Sequence, residues 1–256
     1  MQFPFGLSLL LTPAFSLAAQ SVGERVASRD GVVQVVYPSR PAACGDGEST
    51  ISNVLGRSNY VSGNTQFSGH GSWENRPCVH GPARVVATVV GREVTRLRAY
   101  VGPVPTLSAD TRTIAASAAD AAAWLGDIAS RSTGRVASEA FLPLILADVP
   151  NPWPLLLRIA RDENRPRDVR RNALTWLANG VTDHLGIADS RDDSEEDQMR
   201  TQAVFVLSQR PKAESVPELI ELARGAKYPA ARRSAIFWLG QTGDPRAVDV
   251  FAELLR

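Results

Sequence analysis

Hydrophobic positions recur along this chain with two different periods, and the change of period divides it. Val32-Val-Gln-Val-Val-Tyr37 is a β-branched run stopped by Pro38 and Pro41, which predicts a strand. Arg84–Val90 and Glu93–Val101 flank Gly91-Arg92 and predict a hairpin, with Gly at the first turn position suiting type II′. Pairing across that turn sets Val86 opposite Leu97 and Thr88 opposite Thr95, and puts Arg96 and Arg98 beside Val85 and Ala87 on a wet face. Cys44 to Pro82 is broken by Gly69, Gly71 and Gly81 and reads as a long loop-rich segment carrying at most short strands such as Ile51 to Leu55, and Ser21 to Arg29 as a mobile polar lead-in. From about Ile114 the spacing becomes that of helices. Ile114–Ile128 is Ala-rich, Val136–Ala147 carries Phe141, Leu142, Leu144 and Ile145, and Asn151-Pro152-Trp153-Pro154 opens the next helix. The last helix places Ala247, Val250, Phe251, Leu254 and Leu255 on one stripe, followed by Arg256. An exposed terminal repeat able to recruit another protein or a second copy is the expectation there.

The helical half repeats itself. Val169-Arg-Arg-Asn-Ala-Leu-Thr-Trp-Leu177, Met199-Arg-Thr-Gln-Ala-Val-Phe-Val-Leu207 and Ala231-Arg-Arg-Ser-Ala-Ile-Phe-Trp-Leu239 are near copies, 30 and 32 residues apart at their final leucines. Leu155–Arg161 likewise matches Glu218–Arg224, so the unit is a pair of helices. Ser215-Val-Pro-Glu218 fits a capping box and Ser194-Glu-Glu-Asp197 a looser one, whereas 181–193 lacks a full stripe. Ala231 to Val248, with the helix running on to Leu254-Leu255, resembles HEAT repeats, particularly the short bacterial form of phycobilisome-lyase type. The resemblance is strong over 196–256, fair over 136–178 and weak over 112–130.

The expected class is α+β: a C-terminal α-solenoid of HEAT-like helix pairs (112–256) after a linker (103–111) and a small disulfide-bonded β module (30–102). The β module resembles no family. Stacked helix pairs build an extended curved surface, which implies protein binding or scaffolding rather than catalysis. A redox- or ligand-responsive sensor is the rival reading, and a lyase or hydrolase on the same repeats a more remote one.

Charge and export narrow the partners. With 28 basic and 27 acidic residues the net charge is +1, which argues against a dedicated nucleic-acid binder. Phe3 to Ala19 is almost wholly apolar and ends in Ser16-Leu-Ala-Ala19, so residues 1–19 read as a signal peptide and the chain as periplasmic or secreted. No later segment is long and apolar enough to span a membrane. In an oxidising compartment the two cysteines, Cys44 and Cys78, pair most simply as one disulfide. That pairing competes with a zinc set of Cys44, Cys78, His70 and His80, in which Cys78-Val-His80 is too tight.

Candidate sites remain sparse. Arg170, Arg200 and Arg232 hold one position in three copies, as an inter-repeat ladder with acids such as Asp244 or as an anion stripe. Trp176 and Trp238 also share a position, as core or as a binding surface. The acidic run Asp189–Asp197 fits no EF-hand and reads as a solvated feed into a helix N-terminus. Ser68, His70 and Ser72 lack a third catalytic member, and His184 stands alone. The expectation is no cofactor, no metal and no catalytic residue, with another protein as the partner and self-association open.

Overall fold

The computed structural model describes residues 20–48, 50–55, 60–61, 78–105, 111–187 and 194–256. The signal segment, the Ser68–Ser72 loop and most of the linker and acidic run lie outside these. β1 (Gly31–Tyr37), β5 (Ala83–Val90), β6 (Glu93–Val101) and β7 (Arg112–Ala115) form one sheet in the order β6-β5-β1-β7. β2 (Cys44–Gly45), β3 (Thr50–Asn53) and β4 (Tyr60–Val61) form a second, smaller one.

The hairpin is present with a different turn and register. Gly91 and Arg92 have φ of 60° and 66°, so the turn is type I′, which needs positive φ at both central residues. The Asp30 carboxylate accepts from both turn amides at 2.8 Å, and those bonds, Arg92 first, hold its pKa below the ordinary value. A bulge at Thr88/Val89 leaves Thr95 as the extra residue, so Ala87 faces Leu97 and Val86 faces Arg98. Val85 and Ala87 therefore point into the core with Leu97 and Ala99, not onto the wet face. That outer face is itself partly covered. Arg84 is only 6% exposed, stacks over the Tyr100 ring and donates to the Gly47 carbonyl. Desolvation lowers its pKa.

The segments 21–29 and 112–115 depart from the sequence expectation. The lead-in folds as α1 (Val22–Ala27), started by a reciprocal capping box between Ser21 and Glu24, and buries Val22 and Val26. Residues 112–115, expected at the helix start, are strand β7, parallel to β1, so the sheet takes a strand from beyond the expected linker. The helix α2 (Ala118–Arg131) starts instead at the Ser117 cap, whose side chain accepts from the Asp120 amide. The segment 136–147 divides into α3 (Gly134–Glu139) and α4 (Phe141–Leu146). Pro143 explains the break: in a continuous helix its nitrogen would have to donate to Glu139, and proline has no N–H.

Sheet and helices share one core. The buried Tyr37 hydroxyl donates to the Pro143 carbonyl at 2.8 Å, and burial raises its pKa. Glu139 accepts from the Leu97 amide on edge strand β6, satisfying a donor that would otherwise be open to pairing. Cys44 and Cys78 are bonded, with Cα atoms 5.0 Å apart.

The remaining helices are α5 (Trp153–Arg161), α6 (Arg167–His184), α7 (Glu195–Ser208), α8 (Lys212–Gly225), α9 (Pro229–Thr242) and α10 (Pro245–Leu254). The prolines of α5, α9 and α10 sit in first turns, where a missing N–H costs no helical bond. Arg165, in the α5–α6 connection, donates to the carbonyls of Ala129, Ser130 and Ser132 at 2.6–2.7 Å. One guanidinium thus satisfies the orphaned C-terminal carbonyls of α2 and complements its dipole. Replacing Arg165 with Met is expected to cost about 2 kcal/mol in urea unfolding, because three charge-assisted bonds go and the apolar stem stays.

Candidate protein-binding surface

The three copies open α6, α7 and α9, and α9 is the one that packs against both others. On the α6 side the helices run antiparallel. Moving along α9, a Cβ at Gly240 would meet Ala178 and the Leu174 carbonyl, Gln241 donates to Thr175, and Gly243 approaches Arg171. The neighbours on α6 thus fall from 178 to 171 as α9 advances. Ala178 and Gly240 are equivalent, each following the aligned leucine, so like meets like as at a local twofold. On the other side α7 runs parallel to α9. Arg200 lies over the Tyr228 ring at 3.9 Å near their starts, and Phe205 and Trp238 stand 5.2 Å apart near their ends. The copies are therefore not stacked in chain order: α10 packs against α5, α6 and α8, and α7 lies at the outer end. The expected exposed terminal repeat is interior instead, with Phe251 fully buried and Leu254 and Leu255 half-buried.

This arrangement decides the arginines. Arg200 pairs within its own helix, with Asp197 at 2.7 Å and Glu196 at 3.0 Å, and those bonds, Asp197 first, raise its pKa. Arg232 donates to the Ala223 carbonyl in the last turn of α8 at 2.8 Å. Arg170 has a buried Nε without a partner. Asp244 caps α10 and pairs with Arg246 at 2.9 Å, which lowers its pKa. Among the described residues no ladder joins the three arginines. An antiparallel α6–α9 contact sends Arg170 and Arg232 to opposite ends, where a ladder needs them side by side.

The tryptophans separate too. Trp176 is 8% exposed and belongs to the core, not to a binding surface. Trp238 is half-buried and lies between Phe205 of α7 and Phe237, whose ring meets it edge-on at 5.0 Å. Phe237 is 46% exposed. The result is an aromatic surface across α7 and α9, next to the Arg200–Tyr228 stack. Sequence reasoning missed Phe237. The signal was there, since Phe237 falls between the positions buried in its copy, Ile236 and Leu239.

The other candidates find structural places. His80 Nδ1 lies 3.0 Å from the Ala43 carbonyl, and His184 is exposed at the end of α6. Both cysteines are committed to the disulfide, so the zinc set is not formed. Ser194 caps α7 and begins its acidic first turn, and among the described residues no group of acidic, His and Cys side chains could hold a metal. Among them, too, no helix is long and apolar enough to cross a membrane.

Residues 185–256 match the family model for HEAT repeats. The match takes in α7, α8, α9 and α10, the part that carries the aromatic surface. No curated protein and no solved structure matches the chain. HEAT repeats generally mediate protein–protein contacts, and the matched residues 185–256 are consistent with that kind of repeat.

Proposed function

We propose that the protein is a non-enzymatic binding scaffold that works outside the cytoplasm and docks a protein partner on the surface around Phe237. The observation that carries this reading is Phe237 itself: a large aromatic, 46% exposed, on a rigid helix and backed by Trp238 and Phe205. Rigid aromatics with a firm backing make binding anchors at low entropic cost. Export is supported by the apolar segment ending in small residues at 16–19 and by the Cys44–Cys78 bond, which persists where thiols are oxidised.

A photo-crosslinking residue at position 237, in cells, tests the docking face, with position 163 as control. Glu163 is exposed in the α5–α6 connection and belongs to neither α7 nor α9. Discrete adducts at 237 and none at 163 are expected, together with recovery of the protein from a periplasmic or secreted fraction. Identical background at both positions would sink the docking face, and recovery solely from cytoplasm would sink the location.

A further inference from the structure

Met199, Ala203 and Val206 lie at i, i+4 and i+7 on α7 and share one face. All three are exposed, Met199 at 61% and Val206 at 54%. Their equivalents in α9 are Ala231, Ala235 and Trp238. There the strip is covered: Ala231 and Ala235 are buried, and Trp238 packs against Phe205 of α7. So α9 uses this strip to receive a further copy of the motif. α7 presents the same strip, and no described residue covers it.

The opposite side of the stack is already occupied, since α3 packs on α6 and α10 on α5. Head-to-tail addition therefore has no matching end. A contact that closes on itself needs α7 against α7. Charge then fixes the orientation. Glu195 begins the helix and Arg210 lies just past its end. Antiparallel pairing centred between residues 202 and 203 sets Met199 against Val206 of the second copy and Glu195 against Arg210 of the second copy. It also opposes the helix dipoles, whereas parallel pairing sets Glu195 against its own image. The chain already makes one antiparallel contact between copies of this motif, at Ala178 and Gly240.

We propose that the protein forms a twofold dimer through the Met199–Val206 face of α7, in this antiparallel register. The contact is distinct from the Phe237 surface, so either can fail alone.

Sedimentation velocity on the full chain, diluted through roughly 10 μM, reads the equilibrium directly. Concentration-dependent dimer is expected for the wild type. Val206→Glu should weaken it by more than about thirtyfold, as an interface anchor would, with thermal melting of the monomer unchanged because Val206 is exposed. Glu195→Arg and Arg210→Glu should each weaken it by roughly fivefold, since the pair occurs twice. The two together should restore it. A wild type that stays monomeric to about 100 μM overturns the proposal. So does a dimer indifferent to Val206→Glu, or a double charge swap no tighter than the single ones.

Discussion

Replacing Gly240 with leucine is expected to destabilise the protein by about 3 kcal/mol, by forcing α9 off α6. A Cβ at this position would stand 2.8 Å from the Ala178 Cβ and 3.2 Å from the Leu174 carbonyl. The carbonyl is main chain, so relief requires moving a whole helix. The sign is the informative part. Gly in a helix normally costs up to about 1 kcal/mol relative to Ala, so Gly→Ala in open space stabilises. Gly225, at the end of α8, has nothing within 4 Å of such a Cβ. Gly225→Ala should therefore be neutral or stabilising and Gly240→Ala destabilising, although both sit in helices of the same module. Urea unfolding followed by far-ultraviolet circular dichroism measures both. If Gly240→Leu unfolds with the wild type, the two copies do not cross as closely as described.

That crossing marks the limit of what the chain's pattern reveals. Likeness between Val169–Leu177, Met199–Leu207 and Ala231–Leu239 identifies three related helices. It carries no information about which touch or in what direction. The deciding features are two small residues, Ala178 and Gly240, at which α6 and α9 approach each other. The same blindness separates Trp176 from Trp238. Their position within the motif is identical, but one faces the interior and the other borders an outer surface. Periodicity ranks positions around one helix and is silent about the next helix.

Local signals carry more of the fold. Ser21 with Glu24 and Ser117 with Asp120 are helix starts written in the sequence, and both helices begin there. A helix that starts at Ser117 leaves 112–115 outside it, free to form β7. The hairpin strands were legible from their β-branched runs. Their register was not, because a single extra residue at Thr95 exchanges the faces of everything beyond it.

Removing the Cys44–Cys78 bond is expected to cost about 4 kcal/mol, the entropy model's value for a loop of this length. The effect acts mainly through the unfolded chain, but the folded side adds a specific consequence. The bond lies beside the Gly45–Val79 bridge, whose two amide–carbonyl bonds measure 3.0 and 3.1 Å. Two residues on, Gly47 offers its carbonyl to the buried Arg84 and packs on the Pro103 carbonyl. If the tether goes, Arg84 loses the acceptor that best offsets its desolvation, and a buried charge short of partners is costly. Cys44→Ala with Cys78→Ala should therefore unfold at lower urea than the wild type, and added reductant should reproduce most of the shift. In an Arg84→Met background the same pair of changes should cost less, because no charge is left to strand. Equal costs in both backgrounds would mean that the bond acts through chain entropy alone and that Arg84 is indifferent to it.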